Sequence, residues 1–130
     1  MIMDRETGAI PAATGFMTAF GRAHIVWVQS APAPQVQRII LPGDPWTDVM
    51  IADMPLIKEP PDRDVRTMIA GIQSFLKGSD VRFDIDLLDM NRCPPFRRRV
   101  LLAEYDIPRG YISTYGRVAR HLEKPDAARA

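Results

Sequence analysis

The sequence predicts an α+β chain: a small N-terminal antiparallel three-stranded sheet with one covering helix, followed by an incomplete helical module. Three observations carry this. Short β-prone runs with turn punctuation crowd the first 41 residues, and one stretch, 62–77, has strong helical periodicity. The charge balance then reverses at about Asn91. Residues 1–91 carry 8 Lys and Arg against 12 Asp and Glu, whereas residues 92–130 carry 9 against 4. We accordingly divide the 130 residues into a domain over 1–90 and a second over 91–130.

Residues 1–14 read as a loose lead-in with no sustained period. Residues 15–20 and 23–29 are strand-like, and Gly21-Arg22 between them suits a tight hairpin turn. A third run, Val36 to Leu41, ends at Pro42-Gly43, and such short links favour antiparallel pairing. Prolines 42, 45, 55, 60 and 61 exclude any long regular element over 42–61. Asp62 then stands at an N-cap position. Val65, Met68, Ile69, Ile72 and Phe75 follow at helical spacing, and Gly78 supplies the stop. That apolar stripe is wide enough to cover one sheet face. Residues 81–90 alternate apolar and acidic at first and read as extended.

Pro94-Pro95 opens a second helix, where proline is tolerated in the first turn, with Phe96, Val100 and Ala103 on one face and Arg97, Arg98 and Arg99 fanned around it. Ile107-Pro108-Arg109-Gly110 is a turn. Ser113 or Thr114 caps a third helix with Val118, Ala119 and Leu122 inward, and Pro125-Asp126 opens a fourth element, Ala127 to Ala130. A helix pair with a tight break and flanking arginines has the outline of a helix-turn-helix DNA reader.

Other chemistries find little support. One cysteine forms no internal disulfide, and one Cys with two His is a poor basis for a four-ligand zinc site. Asp84, Asp86 and Asp89 lack the Gly and closing Glu of a calcium loop. Cys93 sits in a linker before Pro94-Pro95 with neither histidine local to it in sequence, so nothing supplies the base a thiolate nucleophile needs. His24 reads as a structural strand residue, His121 as a surface group, and Trp27 and Trp46 as core or loop packing. No apolar run approaches the ~18 residues of a membrane span, and the N-terminus lacks a signal-peptide plan. Cytoplasmic or nuclear residence is the default expectation.

Four segments sharpen the reading of the basic end: Pro95-Phe96-Arg97-Arg98-Arg99-Val100, Ile107-Pro108-Arg109-Gly110, Ser113-Thr114-Tyr115-Gly116-Arg117-Val118-Ala119 and Ala127-Ala128-Arg129-Ala130. In this order they resemble the methylated-DNA–protein cysteine methyltransferases, whose pattern runs T-P-F-Q-x-x-V, I-P-x-G, S-Y-G-x-[LI]-A, A-A-R-A-V-G and then P-C-H-R. Arg97 stands where Gln is usual, and Cys93-Pro94 replaces Gly-Thr.

The resemblance implies a ribonuclease H-like first domain and a helix-turn-helix, winged-helix-like second one. It also implies double-stranded DNA carrying alkylated guanine as partner, and no cofactor or metal. The alkyl group would pass from a flipped guanine to the protein's own cysteine. Arg129 would fill the gap left by the extruded base, Tyr115 would help turn the nucleotide, and Ser113, Thr114, Arg117 and Ala128 would contact DNA. Arg97, Arg98, Arg99 and Arg120 are candidates for phosphate attraction.

No P-C-H-R occurs in these residues. The expectation is therefore a fragment lacking the nucleophile and unable to accept an alkyl group. The alternative is a non-catalytic, alkyltransferase-like module that recognises damage, and a third reading is a domain whose basic end binds another protein.

Overall fold

A computed structural model describes residues 10–108 and 110–123. The chain divides into two units, one ending at Asp89 and one beginning at Met90. The architecture is α+β. The first unit holds strands β1 (Ala12–Thr18), β2 (Gly21–Val28) and β3 (Gln35–Ile40), with helices α1 (Thr47–Ile51) and α2 (Arg63–Leu76) and a 3-10 turn over Ile85–Leu87. The second holds a 3-10 turn over Met90–Arg92 and helices α3 (Pro95–Tyr105) and α4 (Tyr115–His121). Among the described residues, no helix is long and apolar enough to cross a membrane.

The sheet is antiparallel in the order β1-β2-β3. Strand side chains alternate between faces, and both faces are covered. On one face Ala12, Phe16, Ala23, Ile25, Trp27 and Val36 pack with Val65, Met68 and Ile72 of α2 and with Leu87. On the other, Ala13, Val26 and Ile40 pack with Met50, Ile51 and Met54. This explains why Ile25 to Val28 of the central strand is a continuous apolar run, all buried. Burying each large side chain of α2 contributes about 1.5–3 kcal/mol, more than a cap or a single hydrogen bond.

A bulge in β3 tunes the second pairing. Val26 faces Arg38 while Trp27 faces Val36, so Gln37 is the extra residue. Val36 and Ile39 have opposite parity, and the bulge turns both toward the α2 face, where both pack. The outer edges are not left bare: the Ala13 N–H donates to the Pro55 carbonyl and the Ala13 carbonyl accepts from Ile57 (3.0 and 2.9 Å), Gln73 Nε2 donates to the Met17 carbonyl, and Asp89 N–H donates to the Val36 carbonyl. Short blocked edges of this kind suppress pairing with other chains.

Several local expectations hold. Asp62 caps α2, its Oδ1 accepting from the Asp64 N–H at 2.7 Å, and Gly78 past the end has φ +106°. Pro95 starts α3 at its first position. Thr114 is the cap of α4, its Oγ1 accepting from the Arg117 N–H at 3.1 Å. The proline-broken stretch admits only the five-residue α1.

Others are corrected. Strand β1 starts at Ala12, inside the expected lead-in, because Ala12 and Ala13 have core partners on opposite faces; residues 1–9 lie outside those described. The hairpin turn is Ala19-Phe20, not Gly21-Arg22: Thr18 pairs with Gly21, and the Thr18 hydroxyl donates to the Gly21 carbonyl while accepting from the Phe20 N–H. Gly21 is needed as the first residue of β2, at φ +118°. Residues 81–90 are not extended throughout, since the Asp84 carboxylate accepts from the Asp86 N–H and nucleates the turn over Ile85–Leu87. Phe75 is 39% exposed and meets Phe83 edge-on instead of entering the core. Trp46 is exposed at the start of α1, whereas Trp27 is core. The fourth element over 127–130 lies outside the described residues.

His24 lies in β2 opposite Gly15, with Nδ1 buried and, among the described residues, without a hydrogen-bond partner. Burial first, and then the Arg22 guanidinium, hold it below its ordinary value of 6.5, with Asp48 pulling the other way. The unfolded chain therefore protonates His24 before the folded chain does, so lowering the pH through that value favours unfolding. Urea midpoints should fall between pH 7.5 and 5.5, and His24→Gln should flatten that dependence. Separately, Asp62→Ala should cost about 1 kcal/mol in the same assay.

Candidate nucleic-acid interface

The second unit is built from little apolar material. No residue of α3 is fully buried; Phe96, Val100 and Ala103 form the expected inner face but are half-buried. Ala119 and Leu122 at the α4 end are buried, and Val118 is half-buried. Between the helices, the Tyr111 N–H donates to the Pro108 carbonyl at 3.0 Å and Gly110 takes φ +84°, a conformation side chains resist. This closes the expected turn; Arg109 within it is not among the described residues.

Arginine supplies what the apolar contacts lack. Arg99 Nη2 donates to the Leu122 carbonyl at 3.1 Å, tying α3 to the C-terminal end of α4, where a cation also meets the negative end of the helix dipole. Arg98 Nε donates to the Met90 carbonyl at 3.1 Å and its Nη2 to the Cys93 carbonyl at 3.4 Å, fixing the lead into α3. A charged hydrogen bond is worth about 1.5–3 kcal/mol, with exposure pulling these toward the low end, which still rivals one buried leucine. From the sequence alone these two arginines are indistinguishable from solvated or phosphate-facing ones. Three consecutive arginines on a helix point 100° apart, and only the position of Leu122 decides which of them finds it.

The expected site residues divide as follows. Thr114 is committed as the α4 cap. Tyr115 is the first residue of α4 and is 74% exposed. Ser113 is half-buried and lines two open hollows, one of about 540 Å³ shared with Glu104, Thr114, Tyr115 and Val118, and one of about 410 Å³ shared with Asp106, Tyr111, Arg117 and His121. Arg117, Arg97 and Arg120 are exposed, and no side-chain hydrogen bond or ion pair engages them among the described residues. Ala128 and Arg129 lie outside the described residues. Tyr111 and Ile112, 73% and 90% exposed, extend the apolar surface beside Ser113 and carried no signal in the sequence reading.

Cys93 is half-buried, with its N–H donating to the Met90 carbonyl. His121 is exposed, as expected. Among the described residues, no three His, Cys, Asp or Glu side chains are grouped as metal ligands. Thr114→Ala should destabilise the unit by about 1 kcal/mol. Tyr115→Ala should change thermal stability by less than about 0.5 kcal/mol, because the ring is not part of the packing. Circular dichroism melts of the two variants check both.

No family model matches the chain. A stretch of 59 residues, 45% of this chain, is 39% identical to the methylated-DNA–protein-cysteine methyltransferase of Methanothermobacter thermautotrophicus. That stretch corresponds to 34% of the relative's own length, about a third of it, so the similarity is to part of that protein.

Proposed function

We propose that the chain is part of a DNA-repair protein of the methylated-DNA–protein-cysteine methyltransferase type, and that its second unit is the part that engages DNA. The observation that carries this is the seating of the family-like segments: Pro95–Val100 opens α3, Ile107–Gly110 is the turn, and Ser113–Ala119 supplies the cap and body of α4. The similarity to the archaeal methyltransferase supports the same reading. The first unit would then be the ribonuclease H-like domain of such proteins and the second a helix-turn-helix, winged-helix-like module.

On this reading double-stranded DNA carrying alkylated guanine meets the α4 side of the second unit. Ser113, Thr114, Arg117 and Ala128 contact the backbone. Tyr115, exposed and costing the fold little, presses on the nucleotide as it turns. Arg129 enters the stack in place of the extruded guanine, a role suited to a flat guanidinium with several donors. Extrusion costs a few kcal/mol, least for a damaged base, and this is one source of lesion preference.

Alkyl transfer needs a thiolate to attack the alkyl carbon while the guanine leaves. The P-C-H-R tetrad is not among these 130 residues, and the sole thiol, Cys93, lies at the entry to α3. The alternative reading is a non-catalytic module that recognises damaged DNA without repairing it, as alkyltransferase-like proteins do. The two readings share the DNA surface and part only at the transfer step.

The 130-residue chain should bind a duplex containing methylated guanine more tightly than the unmodified duplex. Tyr115→Ala and Arg129→Ala should each erase about tenfold of that preference. Equal affinity for both duplexes in fluorescence anisotropy would overturn the reading. Intact-mass measurement of the 130-residue chain after incubation should show no added methyl group, and a stoichiometric adduct would overturn the reading that Cys93 is not the acceptor.

A further inference from the structure

The arginines of the second unit are not equivalent. Arg98 spends two donors on the main-chain carbonyls of Met90 and Cys93, and Arg99 spends one on that of Leu122. Arg97, Arg117 and Arg120 spend none among the described residues. The position of Arg120 is more specific than exposure alone. Helical side chains lean back toward the N-terminus, so a long residue overlies the one four positions earlier. Here that residue is Gly116, and Arg120 Nη1 lies 4.0 Å from the point a Gly116 Cβ would occupy, with Thr114 Oγ1 3.9 Å from the same point. The Arg120 guanidinium thus lies back along α4 over Gly116, on the side of Thr114. The Thr114 oxygen accepts from the Arg117 N–H, which leaves its own O–H to donate outward.

We propose that the arginines divide by role: Arg98 and Arg99 are positioning residues that hold α3 and α4 together, while phosphate contact falls to Arg97, Arg117 and Arg120. This rests on the DNA-binding reading above and deepens it. The guanidinium is charged at every relevant pH and presents a planar fork that matches phosphate oxygens. A group that neutralises a phosphate releases a counterion, so its loss is read in the salt dependence of binding and not only in affinity.

The test is binding of the 130-residue chain to the methylated duplex by fluorescence anisotropy over a range of salt, with melting curves taken without DNA. Arg97→Gln, Arg117→Gln and Arg120→Gln should each lower the slope of log affinity against log salt by about 0.9 and leave the melting temperature unchanged. Arg120→Lys should restore the slope. Arg98→Gln and Arg99→Gln should lower the melting temperature, and below it should retain the wild-type slope. An Arg120→Gln slope equal to wild type overturns the assignment of Arg120. A reduced slope with unchanged melting in Arg99→Gln overturns the division of roles. A wild-type chain with no salt-dependent affinity for DNA overturns the DNA-binding reading itself. The loss of melting temperature in Arg99→Gln is measured without DNA and keeps the positioning role testable on its own.

Discussion

A strand with no free face governs the first unit. Ile25, Val26, Trp27 and Val28 of β2 are all buried, so neither side of the sheet can be left to solvent. The α2 stripe takes one face, and Met50, Ile51 and Met54 take the other. The rest follows from that requirement. The short α1 exists in a stretch crowded with proline because it delivers Met50 and Ile51. The bulge at Gln37 exists because Val36 and Ile39 must both reach the α2 side. Hydrogen bonds along the two outer edges then satisfy main-chain groups that the small sheet would otherwise leave unpaired.

The second unit answers the same need by other means. Its helices bury few side chains, and a unit this small gains little from apolar contact alone. Charged donors placed on helix-end and turn carbonyls make up part of the difference. A cluster of arginines in such a unit therefore has two uses that composition cannot separate. Some of the guanidinium donors that could meet a polyanion are already used in holding the helices. The number of arginines in the segment overstates the donors that remain for a partner.

This bears on how the proposed DNA surface is made. Tyr115 is presented by a helix whose start is fixed by Thr114 and whose end is held by Arg99. A ring that contributes almost nothing to packing can be spent on a partner. On the same helix the Arg120 guanidinium lies back over Gly116. The similarity to a methyltransferase covers part of that protein, and the described residues of the second unit present a flat exposed ring, hydroxyls and guanidinium groups without a side-chain partner among those residues.

Features set by neighbours along the chain are legible without coordinates. Asp62 as a cap, Pro95 as a helix start, Thr114 as the cap of α4 and the Val65–Met68–Ile72 stripe are local geometry, legible from spacing and side-chain type. The order of short segments around the α3–α4 break was legible for the same reason. Tertiary structure alone decided where distant groups meet. Gly21 begins a strand instead of forming the turn because the register is set across the whole β1–β2 pair. The extra residue at Gln37, the exposure of Phe75, and the commitment of Arg98 and Arg99 but not Arg97 depend on partners that periodicity cannot locate. A local pattern fixes which way a side chain leaves its own helix or strand. What it meets there is fixed by the packing of the other elements.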